Sequence, residues 1–319
     1  MKKPTLLDFE KPIQTIENKI EELKKLGLET GISLDDQISV LTSQAETFRH
    51  ELYLNLKPAQ RIQISRHPKR PTFKDYIELM TENFLELHGD RHGSDDRAII
   101  GGVAQIDGRS VMIIGTQKGS NTRENLEHNF GMPHPEGYRK ALRLFYHANK
   151  FNLPIITIVD TPGAYPGIKA EETGQGEAIA FNLREMATFT VPFVSIITGE
   201  GCSGGALGLA VANHVYILEH AYYTVISPEG CASILFRDAL KSKEAAEALK
   251  ITAEDLLHLK IVEGVIREPL GGAHNDHKSM AISMKNTIKR SLYELDKLSA
   301  SELKNNRYKK FRKMGELLE

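Results

Sequence analysis

Cysteine is almost missing from this 319-residue chain, where Cys202 and Cys231 are the only two. That scarcity excludes a disulfide framework and a four-cysteine zinc site contained in the chain, and it fits a reducing compartment. Long apolar runs are missing as well. Lys2 and Lys3 open the sequence, but residues 4–12 lack the hydrophobic region of a signal peptide, and no run of about 18 apolar residues follows, so the expectation is a cytoplasmic protein without a membrane span. An excess of either charge is missing too. With 41 Lys+Arg against 42 Asp+Glu the net charge is -1, which provides no global field for nucleic acid or membrane, so partners must be recognised locally. No G-x-x-x-x-G-K-[ST] phosphate loop occurs, which removes the reading of Asp160-Thr161-Pro162-Gly163 as a GTPase switch.

What remains is an ordinary globular composition, 40% hydrophobic and 26% charged, in a chain long enough to bury a sizeable core. The organising stretch is VPFVSIITGEGCSGGALGLA at 191–210. Residues 193–197 read as a strand, 198–205 as a glycine-rich turn and 206–212 as a helix. The first amides of a helix have no internal acceptor and stand at the positive end of its dipole, so Gly204 and Gly205 are the candidate donors to an oxygen anion. The same turn satisfies G-x-S-x-G through Gly201, Ser203 and Gly205, the nucleophile elbow of serine hydrolases, for which Asp238 and His258 follow in the required order.

Residues 6–56 read as a helical hairpin: Ile13, Ile16, Ile20 and Leu23 form one apolar stripe, Leu34, Ile38, Leu41, Ala45, Phe48 and Leu52 a second, with Gly27 and Gly31 between and Ser33 with Asp36 as the cap. The division expected is a hairpin over 1–57, a basic connector over 58–71 and a large domain over 72–319. In the connector, Arg61, Arg66, Lys69 and Arg70 are either solvated or available to a phosphate-bearing ligand. A helix is expected over 72–87, capped by Thr72 and Asp75. His88 and His92 have zinc-helix spacing, but Gly89 stands where the glutamate is needed, so metal binding is not expected there or at His274 and His277. Asp107-Gly108 between two strand-like runs predicts a two-residue hairpin. A polar loop over 116–134 carries Lys118, Asn121, Arg123, Glu124 and Asn129, and Pro135 and Glu136 open a helix reaching Lys150. Helix 252–260, strand 262–267 and a mostly helical tail over 276–318 complete the chain.

A repeat lies in the middle. LPIITIVDTPG from Leu153 matches VPFVSIITGEG from Val191 at an offset of 192 minus 154, or 38. A third unit is suggested by residues 222–226 followed by Ser227-Pro228-Glu229, and three strand-turn-helix units put three helix starts along one edge of a parallel sheet.

NFGMPHPEGYRKALRL from Asn129, IITIVDTPGAYPG from Ile155, GQGEAIA from Gly174, TGEGCSGGALGLA from Thr198 and SPEGCASIL from Ser227 together resemble the α subunit of bacterial acetyl-coenzyme A carboxylase carboxyltransferase, over essentially the whole chain. The resemblance implies an α/β, crotonase-like spiral of repeated ββα units in two roughly perpendicular sheets, with an N-terminal helical hairpin and C-terminal helices. It implies transfer of a carboxyl group from carboxybiotin, presented by the biotin carboxyl carrier protein, to acetyl-coenzyme A, giving malonyl-coenzyme A for fatty-acid synthesis. Gly204 and Gly205 would donate to the ureido oxygen, which becomes negative as CO2 leaves, and the biotin nitrogen would take the α proton, so no side-chain base is required. Gly163, Ala164, Tyr165 and Gly174 are the expected wall of the biotin pocket. No cofactor would be covalently bound to this chain. A β subunit, in an α2β2 assembly with biotin carboxylase in the wider complex, would carry the zinc ribbon and most of the coenzyme A site. The chain departs from the family pattern at Cys202, where glycine is common, at Thr116 (histidine), at Ser120 (arginine) and near Phe236 (tryptophan). Against this stand the serine hydrolase using Ser203 and a non-catalytic scaffold; Gly205→Val, expected to fold and bind β while losing turnover, separates the enzyme from the scaffold.

Overall fold

The computed structural model describes residues 7–315. Leu6 of the expected hairpin and the end of the expected tail lie outside the described residues. Two helices, Lys11–Thr30 and Asp35–Leu54, form the hairpin, and Gly31 closes the first in the left-handed region at φ 71°. The cap expected from Ser33 and Asp36 is not formed. Leu34 occupies the N-cap, and the Ser33 hydroxyl donates to Asp35 Oδ2 at 2.8 Å.

The strands are β1 (Glu82–Glu86), β2 (Ile99–Ile106), β3 (Arg109–Thr116), β4 (Ile155–Thr161), β5 (Phe193–Cys202), β6 (His214–Leu218), β7 (Tyr222–Thr224) and β8 (Gly264–Ile266). The expected 72–87 helix stops early. It spans Phe73–Met80, capped by Thr72 with Asp75, and β1 follows on the edge of the sheet. The Asp107-Gly108 turn has both residues at positive φ, 48° and 77°, as a hairpin twisted like its strands requires. The path runs β1-β2-β3-β4-β5-β6-β8, antiparallel as far as β3 and parallel beyond it. β4 and β5 align Ile155 with Phe193, an offset of 193 minus 155, or 38, so the sequence repeat is also the strand register.

β5 carries the change of direction. Its first half pairs with β6 and its last three residues, Glu200 to Cys202, pair with β7, so the third unit joins the sheet only at the far end of this strand. Neighbouring residues on β3 show the two buried faces. A β-carbon on Gly101, which pairs with Ile114, would meet Leu144 of helix Pro135–Lys150, whereas one on Gly115 would meet Phe73 of helix Phe73–Met80. Apolar strands read without alternation because both faces are covered. The C-terminal ends of β4 and β5 therefore emerge side by side, each into a tight turn.

The segment expected as a basic connector contains helix Pro58–Ser65, and its arginines are bonded into the large domain. Arg70 forms a buried two-point ion pair with Glu268, at 2.9 and 2.6 Å, and donates to Thr198 O at 2.6 Å; Arg66 reaches Glu200 and Glu229.

Candidate active site

The site is built where β5 turns into helix Ser203–Ala210. Ser203 sits at φ 59°, a left-handed conformation that reverses the chain between strand and helix. Cys202, at the N-cap, makes no side-chain cap, and no side chain among the described residues accepts from the Gly204 or Gly205 amide. The first amides of this helix stand at the positive end of its dipole, with Gly204 half-buried and Gly205 buried. The helix is held from its sides: Tyr138 Oη donates to Gly205 O at 3.1 Å, Asn182 Nδ2 to Gly208 O at 3.1 Å, and Thr157 Oγ1 to Leu209 O at 2.8 Å.

Gly163 and Ala164, from the turn after β4, are brought directly against this helix start. A β-carbon at residue 205 would lie 2.4 Å from Ala164 N and 2.5 Å from Gly163 C, which backbone cannot yield to. The expectation that Gly205→Val folds normally is therefore corrected: only glycine lets the two turns touch. At Gly204 an added β-carbon meets nothing nearer than Ile179 Cγ2 at 3.5 Å, an ordinary contact, so that position tolerates a β-carbon. Tyr165 follows in the same segment; its amide donates to Pro133 O at 3.0 Å, and its ring stacks on His134 with centroids 4.1 Å apart. Gly174, at φ 88°, starts helix Gln175–Met186 and lines a cavity of about 830 Å3 between that helix and Pro135–Lys150, with Arg139, Arg143 and Phe181. That cavity includes neither Gly204 nor Gly205.

Behind the turn lies a charged cluster that local reading does not reveal. Lys118 Nζ is 2.7 Å from Asp160 Oδ1 and 2.7 Å from Glu200 Oε1. Glu200 also accepts from Arg66 Nε at 2.7 Å and from Tyr222 Oη at 2.5 Å, and Thr116 Oγ1 accepts from the Asp160 amide at 2.6 Å. Burial alone would raise the Glu200 carboxyl, but the charges of Lys118 and Arg66 overcome it and hold the group at about 2. Burial by itself would lower the Lys118 ammonium; Asp160 and Glu200 reverse this and raise it. The only advance signal was that Lys118 belonged to a long polar loop; that loop also contains helix Thr122–Glu127, capped by the Asn121 side chain.

Cys202 does not narrow the turn. Its side chain is packed with Ile62, Tyr222, Ala246 and Ile251, and burial raises the thiol to about 12, so it is inert at neutral pH. The triad of the hydrolase reading is not assembled: Asp238 caps the short helix at Ala239–Lys241 by accepting from Leu240 N at 3.0 Å, and neither it nor His258 bonds to Ser203. No group of three or more His, Cys, Asp or Glu among the described residues is arranged to hold a metal, and none of the helices there is long and apolar enough to cross a membrane.

Solved structures share this architecture. Transcarboxylase 12S, with methylmalonyl-coenzyme A and methylmalonic acid bound, superposes with a TM-score of 0.59 at 21% identity over 72% of this chain and 42% of its own. The β subunit of Pseudomonas aeruginosa geranyl-CoA carboxylase gives 0.55 at 14% identity, over 78% of this chain and 46% of its own. This chain thus spans less than half the length of either, and at these identities the likeness speaks for the fold. The fold is the crotonase-like one. Sequence comparison narrows this. Residues 6–315 match the family described as acetyl co-enzyme A carboxylase carboxyltransferase-like. The acetyl-coenzyme A carboxylase carboxyl transferase subunit alpha of Synechococcus elongatus is 52% identical over 318 residues, covering 100% of this chain and 97% of its own, and that of Prochlorococcus marinus is 53% identical over 98% and 95%. The chain belongs to the family of acetyl-coenzyme A carboxylase carboxyltransferase alpha subunits.

Proposed function

We propose that the Gly204 and Gly205 amides receive the ureido oxygen of carboxybiotin, and that the chain works only in complex with a separate β subunit. Carboxybiotin, delivered on a carrier protein, supplies the carboxyl group that converts acetyl-coenzyme A to malonyl-coenzyme A. The reading rests on one observation: a glycine-lined helix start without a side-chain cap, fixed by Tyr138, Thr157 and Asn182 and backed by residues 163 and 164. The fit is chemical as well as spatial. An oxygen that gains charge during the reaction needs donors already in place, and one such donor is worth roughly 3 kcal/mol. Gly204 has no close neighbour at its β-carbon position, whereas Gly205 draws the neighbouring turn close enough to form a wall.

No side chain of this chain acts as a base in this reading. The carboxylates at the ends of β4 and β5, Asp160 and Glu200, are committed to Lys118, and the Glu200 carboxyl, held at about 2, is a poor proton acceptor. The thioester site and the zinc ribbon fall to the β subunit, in an α2β2 assembly that also meets biotin carboxyl carrier protein and biotin carboxylase in the cytoplasm. The test is malonyl-coenzyme A formation from a carboxylated biotin carrier, with this chain alone, the β partner alone and both together. Product only from the mixture supports the reading; full turnover by either chain alone overturns the shared site.

A further inference from the structure

Lys118, Asp160 and Glu200 lie behind the turn rather than in it. Their side chains are 18%, 14% and 8% exposed, and the stem of Lys118 packs under the left-handed turn at 129–131, where a β-carbon on Gly131 would come 2.7 Å from Lys118 Cγ. Asp160 Oδ1 also accepts from the Glu200 amide at 2.8 Å, next to the register shift between β4 and β5. Asp160 precedes Gly163 by three residues and Glu200 precedes Gly204 by four, so the reach of the chain, at most about 3.3 Å per residue, keeps Glu200 within roughly 13 Å of the helix start. Arg66 bridges Glu200 to Glu229, leaving two cations, Lys118 and Arg66, among three carboxylates.

We infer that Lys118 is a positioning residue for carboxyl transfer: its ammonium cancels negative charge behind the Gly204–Gly205 turn, where a second uncompensated carboxylate would repel the oxygen anion the turn receives, and it fixes the ends of β4 and β5 that carry the two turns. The inference rests on the oxyanion reading given above. Unit charges within about 13 Å of each other, in surroundings with an effective dielectric constant of about 20, change a rate by on the order of tenfold. The linkage Lys118 makes is also the only ion pair joining the polar loop to both strands among the described residues.

The test uses the chain assembled with its β subunit. Lys118→Met keeps the stem but removes the charge. It is expected to lower kcat by on the order of tenfold with KM for acetyl-coenzyme A within about twofold of the parent. Adding Asp160→Asn removes the surplus negative charge while keeping an acceptor for the Glu200 amide, and the double variant should recover to within about threefold of the parent. A merely structural lysine gives no such recovery, so a double variant as slow as Lys118→Met, or a Lys118→Met enzyme with normal kcat, overturns the inference. Should Lys118→Met fail to accumulate, Lys118→Gln removes the charge while retaining donors, and the same comparison is made with it. Failure here is distinct from failure of the turn: an inactive Gly204→Val enzyme beside a fully active Lys118→Met enzyme removes only the role of Lys118.

Discussion

Gly205 and Ala164 meet backbone to backbone, so that a β-carbon on residue 205 would stand 2.4 Å from the Ala164 nitrogen. The two glycines of the turn therefore answer differently to substitution. Gly205→Ala must push the 163–164 turn aside, and it is expected to lower both the melting temperature and the turnover. Gly204→Val finds only Ile179 near its β-carbon, at 3.5 Å, and should fold and bind β normally while turnover falls by at least about two orders of magnitude, as the added bulk displaces the oxygen from its donors. Melting curves beside carboxyl-transfer assays check both. Normal turnover in folded Gly204→Val would remove the oxyanion site from this turn.

The stacked rings of His67 and His274, with centroids 3.8 Å apart, give the fold an acid-sensitive point. Burial first, then the neighbouring His67 and Arg70, lower His274 to about 3 from the ordinary 6.5. The folded chain thus keeps this ring neutral where the unfolded chain protonates it. Its contribution is complete above about 6.5 and is lost as pH falls toward 3, because the unfolded state then binds the extra proton. His274→Phe preserves the stack without the titration. Urea midpoints measured from pH 7 to pH 4 should fall less steeply for this variant than for the parent; parallel curves would show that His274 does not titrate on unfolding.

Much of the site's scaffold was legible because it is written locally. The Asp107-Gly108 hairpin, the proline-led helix from Pro135 and the repeat that became the β4–β5 register all follow from residues near one another in sequence. The errors come from contacts that are far apart. Residues 82–86, ENFLE, read as a continuation of the preceding helix, yet pair with β2, where Gly102 lets the Leu85 carbonyl approach closer than any β-carbon would permit. The basic stretch after Lys57 reads as solvated because the acids that engage it, Glu200 and Glu268, lie 134 and 198 residues from their arginines. Lys118 was hidden for the same reason. A lysine in a polar loop carries no local mark of the two strand-end carboxylates between which it is held.

Ser203 has the exposed, left-handed placement of a hydrolase nucleophile without the partners of one. With no histidine to take its proton, the hydroxyl is an ordinary alcohol. Ser203→Ala is expected to keep carboxyl transfer within about threefold of the parent, since the change leaves the amides at 204 and 205 in place. The parent should show no fluorophosphonate labelling at Ser203, read by mass spectrometry of the labelled peptide. Stoichiometric labelling that disappears in the variant would restore the hydrolase reading.

Arg307 ties the C-terminal helix Ala300–Lys313 to the rest of the fold through acceptors that carry no charge. It is 0% exposed and donates to Met186 O at 2.6 Å, Phe189 O at 2.9 Å and Asn213 Oδ1 at 2.6 Å. Burial lowers the guanidinium to about 10, so it remains protonated at neutral pH, solvated in effect by the carbonyls at the end of helix Gln175–Met186 and in the segment leading to β5. Arg307→Ala leaves these acceptors without donors as well as a cavity, and is expected to lose roughly 3–5 kcal/mol. Arg307→Lys restores a charge but not the planar fork that reaches several acceptors at once, so it should recover less than half of that loss. Urea unfolding of the three proteins measures both steps. A loss under about 1 kcal/mol for Arg307→Ala would mean that water satisfies the freed carbonyls and that the terminal helix is held mainly by its apolar contacts, such as Leu303.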